Sequence, residues 1–183
     1  PPSVAVMPPA TASAPAADGS LRLGIKALGD WTRRLRARLA PGQRVKMDGP
    51  YGRFVFRPRV SRQVWLAGGI GITPFLAWAE ALTDADQQQI ALVWAVTTRA
   101  EAFAAERLAG IAARHPNLTL HIVASAEDGR LTAERLAGLV PFALRDAALF
   151  YCGPSGLRDA IVSGLKAMGQ RPRRVHSEAF ELR

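Results

Sequence analysis

Three short stretches carry residues whose types and spacing could do chemistry. "GGIGITP" places Gly68, Gly69 and Gly71 between a short apolar run and a helical pattern that Thr73 and Pro74 open. Glycines at such a junction allow backbone angles and close approach that a side chain would block, and the free amides of a helix start favour negative charge. "YCGPSG" sets the lone cysteine, Cys152, ahead of Gly153 and Pro154 at the end of a second apolar run. "VTTRAEAF" closes a third run with Thr97, Thr98 and Arg99, hydroxyls and a cation that suit a phosphate, with Glu101 two residues on as a competing acid. The glycine turn raises nucleotide binding as the first hypothesis, since backbone there can come close to something flat or anionic. The glycine turn and the cysteine also have purely structural alternatives, a packing turn and a buried filler cysteine, and Arg130 in "DGRLT" can be read as an exposed loop arginine.

The elements that must position these residues follow from hydrophobic rhythm. From Ser61 onward, strand-like runs alternate with helical patterns. Strands are predicted at Gln63–Gly69, Gln89–Thr97, Leu118–Ser125, Ala147–Gly153 and Arg173–Phe180, and helices near Pro74–Leu82, Ala100–Ala113, Thr132–Leu139 and Pro154–Gly169. Repeated strand–helix alternation implies right-handed crossovers and an α/β, doubly wound parallel sheet covered by helices on both faces. Ligands in such sheets bind beyond the carboxyl ends of the strands, so Gly69 and Cys152 are expected at one edge. Ahead of residue 61 the rhythm is that of a small antiparallel piece: strands at Ser20–Leu28, Gly42–Pro50 and Arg53–Pro58, with a helix at Asp30–Leu39. The Pro-, Ala- and Ser-rich residues 1–19 read as linker or edge strand. Two units are therefore expected, 1–60 and 61–183.

Composition excludes several classes. The chain has 183 residues, 49% of them hydrophobic, enough for a packed core. One cysteine permits neither an internal disulfide framework nor a cysteine-held cluster or zinc, and no metal site is predicted. No apolar run approaches the roughly 20 residues needed to span a bilayer, and no leader pattern opens the chain. The net charge of +9, with 24 basic against 15 acidic residues, leaves three partners open: nucleic acid, an anionic membrane face and phosphate-bearing small molecules. Nucleic acid fits worst, because no aromatic platform or nucleic-acid motif accompanies the arginines.

Taken in order, "GIKALGDWTRRL", "GQRVKMDGPYGRF", "GGIGITP", "YCGP" and "HSEAF" resemble the ferredoxin-NADP reductase superfamily, whose members join a flavin-binding barrel to a nicotinamide-nucleotide domain. The branch they resemble most is the one fused to membrane haem domains, the ferric reductase and NADPH oxidase-like proteins. The resemblance implies a partial FAD-binding barrel domain over 1–60 and an NAD(P)-binding domain over 61–183. It also implies roles. Gly29 and Thr32 would receive the flavin pyrophosphate, and Gly49, Pro50, Tyr51 and Gly52 would lie beside the flavin. Gly68, Gly69, Gly71, Thr73, Pro74, Gly153 and Pro154 would bind the nicotinamide nucleotide, and Thr98, Arg99 and Arg130 would read its adenosine end, favouring NADPH. Cys152, Glu178 and Phe180 would be catalytic, beside the nicotinamide and flavin rings.

The implied activity is hydride transfer from NADPH or NADH to FAD, followed by single electrons to haem, ferric iron or an iron-sulfur partner. Met7, Pro8, Pro9 and Ala10 depart from the family, which has a cation, an aromatic ring and a hydroxyl there, and the strands usually ahead of that motif are missing. The sequence is thus expected to be truncated upstream, to bind flavin weakly by itself, and to meet a membrane only through the missing segment, on the cytoplasmic face. A rival reading is a non-catalytic remnant or interaction module that keeps the nucleotide fold without flavin.

Overall fold

The computed structural model describes residues 10–11, 13, 16–25, 27, 29–45, 54–57 and 59–179. Ahead of the main sheet, β1 (Ala10–Thr11) pairs antiparallel with β2 (Leu23–Gly24), and α1 spans Asp30–Arg38. The chain then runs β3 (Arg62–Gly68), α2 (Thr73–Glu80), β4 (Gln89–Val96), α3 (Ala105–Arg114), β5 (Leu118–Ala124), α4 (Ser125–Asp128), α5 (Ala133–Leu139), β6 (Ala148–Gly153), α6 (Ser155–Ala167) and β7 (Arg174–Ala179). Among the described residues the main sheet has five strands in the order β5-β4-β3-β6-β7, and every described pairing in it is parallel. The α/β, doubly wound architecture expected from the rhythm is the observed one.

Central strands buried on both faces must be apolar throughout, and β6 is buried at all six positions. Alternate side chains feed two cores. Trp65, Ala67, Leu92, Trp94 and Phe150 pack on one face with Phe75 and Leu76 of α2 and Leu108 and Ile111 of α3. Val64, Leu66, Val93, Leu149 and Tyr151 pack on the other with Leu136 of α5 and Ile161 and Leu165 of α6.

The antiparallel piece is less regular than its pattern predicts. Among the described residues of the expected Ser20–Leu28 strand, only Leu23 and Gly24 pair, and the described parts of the other two strands, Gly42–Val45 and Phe54–Arg57, have no ladder. Apolar alternation there serves packing instead: Phe54 stacks on Trp78 with ring centroids 4.9 Å apart, and Phe56 meets the edge of Trp65 at 5.7 Å. Buried Gln63 ties the same segment down, donating to the carbonyls of Arg57 and Val60 at 2.9 and 3.0 Å while accepting from the Trp65 indole at 2.9 Å. The helix expected over Ala100–Ala113 is also divided. A 3₁₀ turn covers Arg99–Glu101, and α3 begins only at Ala105.

A junction where two stretches of backbone pack closely joins β3 to α2. A 3₁₀ turn, Gly69–Ile72, lies between them and packs against the end of β6. A Cβ on Gly71 would stand 2.1 Å from the Cys152 carbonyl oxygen, and one on Gly68 would stand 2.8 Å from Cδ of Pro154. Reciprocally, a Cβ on Gly153 would meet Gly68 backbone atoms at 2.9 Å. Gly69 at φ 55° and Gly153 at φ 153° hold backbone angles that other residues rarely adopt. The two glycine motifs are thus one interlocked unit.

Replacing Gly71 with Ala should destabilise the protein by about 1–3 kcal/mol, because backbone on both sides must shift. Gly138→Ala in α5, where nothing lies within 4 Å of the added Cβ, should be neutral or slightly stabilising. Thermal unfolding of the two variants checks the contrast, and equal melting temperatures would contradict it.

Candidate nucleotide-binding site

Beyond the carboxyl ends of β3, β4, β5 and β6 lies a cleft of about 460 Å³, within the size range of small-molecule sites. It stands where the strand order reverses: from β3 the chain winds to β4 and β5 on one side, then returns to β6 and β7 on the other. Such a switch point leaves a crevice between loops that turn in opposite directions. Gly68 and Gly69 form one wall and Gly153 and Pro154 another, while Thr97, Ser125 and Arg130 bring two hydroxyls and a cation. The first turns of α6 add Gly156, Leu157 and Ala160, so the cleft meets a helix start with small and apolar groups around it. A second hollow of about 400 Å³, toward Leu23 and Ile25, shares Gly69, Ile70 and Glu101 with the first.

Fixed hydrogen bonds hold these walls. The buried Trp94 indole donates to the Gly69 carbonyl at 2.8 Å, setting the glycine turn against β4. The Tyr151 hydroxyl donates to the Pro154 carbonyl and braces the turn into α6. The Arg135 guanidinium donates to the carbonyls of Asp128 and Gly129, pinning the loop that carries Arg130. Trp94 is marked by no motif, and Tyr151, although it opens "YCGP", is given no role by the sequence, since an aromatic in a buried strand reads as core.

The predicted site residues divide. Gly68, Gly69, Arg130, Gly153 and Pro154 do line the cleft. Gly71 and Thr73 do not: both are buried, and the Thr73 hydroxyl donates to the Ile70 carbonyl at 3.2 Å. Pro74 follows Thr73 into the first turn of α2, away from the cleft lining, so the 3₁₀ turn separates that helix start from the cleft. Thr98 precedes the 3₁₀ turn at Arg99, and Thr97 lines the cleft in its place. Arg99 has its guanidinium on the Asp128 carboxylate, with both contacts at 2.9 Å. Gly29 and Thr32 begin α1, where the Thr32 hydroxyl accepts from the Gly29 amide at 2.9 Å and donates to its carbonyl at 3.1 Å. Gly49, Pro50, Tyr51, Gly52 and Phe180 lie outside the described residues, as do Met7, Pro8 and Pro9.

Cys152 is level with Ala67 of β3 and Glu178 of β7, so it stands at the expected edge of the sheet beside the glycine turn. Its side chain has 0% exposure and belongs to the core cluster of Phe75 and Phe150. Burial raises the thiol pKa strongly, and the nearby Glu178 carboxylate adds to the rise. Burial likewise raises the Glu178 carboxyl above the ordinary range. The cysteine is therefore a neutral thiol, unsuited to nucleophilic chemistry and suited to packing against an uncharged ring.

The family model of the oxidoreductase NAD-binding domain matches residues 65–173. The chain belongs to that family, within the ferredoxin-NADP reductase superfamily. A component of 1,2-phenylacetyl-CoA epoxidase from Escherichia coli strain K12 is 31% identical over 180 residues, which cover 88% of this chain and 50% of that protein. NADH-cytochrome b5 reductase 1 from Pyricularia oryzae is 27% identical over 154 residues, 78% of this chain and 50% of that protein. The chain thus spans about half the length of these curated relatives. Among solved structures, the flavohem-like FAD/NAD-binding domain of nitric oxide dioxygenase from Vibrio cholerae shares the fold, with a TM-score of 0.73 at 23% identity over 93% of this chain and 75% of that one. Within the family domain, β3 to β6 supply the cleft described above, and the region matched ends just ahead of β7.

The Cys152 thiol yields a signed pH dependence. Its folded pKa is raised, so the stability it contributes is fully present below the unfolded value of about 8.5 and declines as pH rises beyond it. Tyr151, also raised by burial, adds to the decline only above about pH 10. Melting temperatures measured between about pH 8.5 and 10 should fall for the native chain and stay nearly level for Cys152→Ala. A flat native profile, or rapid alkylation of the folded thiol by iodoacetamide, would contradict this account.

Proposed function

We propose that this chain is the nucleotide-binding part of an NAD(P)H-dependent flavoprotein reductase that accepts hydride and passes single electrons onward. The cleft at the sheet's switch point, walled by two interlocked glycine turns, is the observation that carries this reading. Gly68, Gly69 and Gly153 allow a pyrophosphate to approach backbone, Thr97 and Ser125 offer hydroxyls to a ribose, and Arg130 offers charge to a phosphate. Cys152 and Glu178 stand level with each other at the carboxyl ends of β6 and β7, where burial raises the pKa of both, but the Cys152 side chain is packed in the core and neither residue lines the cleft.

FAD is the resident cofactor in this reading. Among described residues, Gly29 and Thr32 at the start of α1 suit its pyrophosphate, with the Thr32 hydroxyl already shaping the helix entry. Bound FAD supplies the conversion of a two-electron hydride into one-electron steps. The relative named as an NADH-cytochrome b5 reductase and the FAD/NAD-binding fold neighbour support this chemistry. A haem or iron-sulfur protein fits as electron acceptor. Assignment to the ferric reductase and NADPH oxidase-like branch, at the cytoplasmic face of a membrane, rests on the sequence motifs alone. Among the described residues no helix is long and apolar enough to cross a membrane.

Calorimetric titration of the 183-residue chain with NADH and NADPH tests the core of the reading. Binding of at least one nucleotide at one site per chain is expected, weakened roughly tenfold or more by Gly156→Val, which puts a side chain into open space on the cleft lining. If neither nucleotide binds, or if Gly156→Val binds as well as the native chain, the proposal fails. Anaerobic bleaching of added FAD by the bound nucleotide then tests the reductase step.

A further inference from the structure

The cation best placed in the sequence to meet a 2′-phosphate is already engaged. Arg99 Nη2 donates to both Asp128 carboxylate oxygens at 2.9 Å, and its backbone N–H donates to Glu127 Oε1 at 3.3 Å. Asp128 is in turn fixed, since its Oδ2 accepts from the Ala124 amide at 2.9 Å. A backbone bond from the Ala126 amide to the Thr97 carbonyl, 2.9 Å, fastens the two loops together beneath the pair. Hydrogen bonds and the arginine hold the Asp128 carboxyl below its ordinary pKa, so it stays charged near neutrality.

Position gives this ion pair its meaning. Arg99 lies in sequence between Thr97 and Glu101, and Asp128 between Ser125 and Arg130; all four of those flanking residues line the cleft. The pair therefore bridges the rim of the proposed nucleotide site, from the loop after β4 to the loop after β5. The Arg99 side chain is 58% exposed, so the pair is accessible to a ligand and its charges are partly screened.

We infer that Asp128 is a specificity-determining residue: by occupying Arg99 and adding its own negative charge at the rim, it disfavours the 2′-phosphate of NADPH and makes NADH the preferred nucleotide. This rests on the cleft being the nicotinamide-nucleotide site, as proposed above. A 2′-phosphate must draw Arg99 from Asp128 and leave an unpaired carboxylate close to its own oxygens. A 2′-hydroxyl asks for no such exchange. The same arrangement reverses the NADPH preference expected from "TTR" in the sequence, because the arginine's charge is cancelled by a residue 29 positions later.

The test is calorimetry with NADH and NADPH on the native chain, Asp128→Asn, and the double variant Arg99→Ala with Asp128→Asn. Asparagine retains an oxygen for the Ala124 amide but lacks the charge. Asp128→Ser, which keeps a hydroxyl acceptor, replaces it if circular dichroism shows that the first variant is misfolded. The native chain should bind NADH more tightly than NADPH. Removing the Asp128 charge should strengthen NADPH binding roughly tenfold while leaving NADH within about twofold, and Arg99→Ala in that background should abolish the gain. NADPH binding unchanged by Asp128→Asn, with NADH still bound, would overturn the inference and leave the functional proposal standing. Failure of the native chain to bind either nucleotide would overturn both.

Discussion

The structure depends on one backbone-to-backbone contact, the seating of the Gly68–Gly71 turn against the Cys152–Pro154 turn. No side chain fits between them: a methyl at Gly71 would lie inside the van der Waals radius of the Cys152 carbonyl, and one at Gly153 would lie against Gly68. Packing of this kind cannot be relieved by rotamer changes, because the clashing atoms are main chain. It brings the ends of β3 and β6 together at the reversal of strand order and thereby determines where the cleft opens. The glycines serve two purposes at once, since the surfaces that interlock also leave main chain bare toward a ligand.

Around that contact the protein uses buried polar groups as fixtures. Trp94 gives its indole N–H to the Gly69 carbonyl, and Tyr151 gives its hydroxyl to the Pro154 carbonyl. Each bond is individually modest, on the order of 1 kcal/mol net, but leaving either donor unsatisfied in the core costs more. The bonds commit both carbonyls to partners within the protein. Arg135 does the same for the loop between α4 and α5. The site is thus built mainly on strand ends and braced turns, the geometry best able to position a flexible dinucleotide.

Charge is arranged differently from charge counting. The net charge of +9 suggests a generally cationic site, yet the described cations near the cleft are largely committed within the protein. Arg99 is bound to Asp128 and Arg135 to loop carbonyls, while Arg130 stands at the cleft itself. Glu101 and Asp128 keep the rim from being uniformly positive. Such local pairing, rather than the total, decides which phosphate or hydroxyl a rim can accept.

The sequence by itself determined the fold class and the placing of its motifs. Apolar runs too continuous to face water, broken by helical periods, left few alternatives to a parallel sheet, and "GGIG" and "CGP" at strand ends pointed to one edge of it. The family resemblance was equally legible there, because ordered glycine motifs record backbone constraints that few folds share. Only the tertiary structure decided which residues face the cleft. Thr97 rather than Thr98 lines it, because the chain leaves the cleft edge at Thr98, where it enters the 3₁₀ turn that begins at Arg99. Gly71, Thr73 and Cys152 turned inward, to the seam and the core. The engagement of Arg99 by Asp128 was invisible in the pattern, since the two residues meet only when β4 and β5 lie side by side. A motif records which backbone and charges are available; long-range packing decides which of them remain open to a ligand.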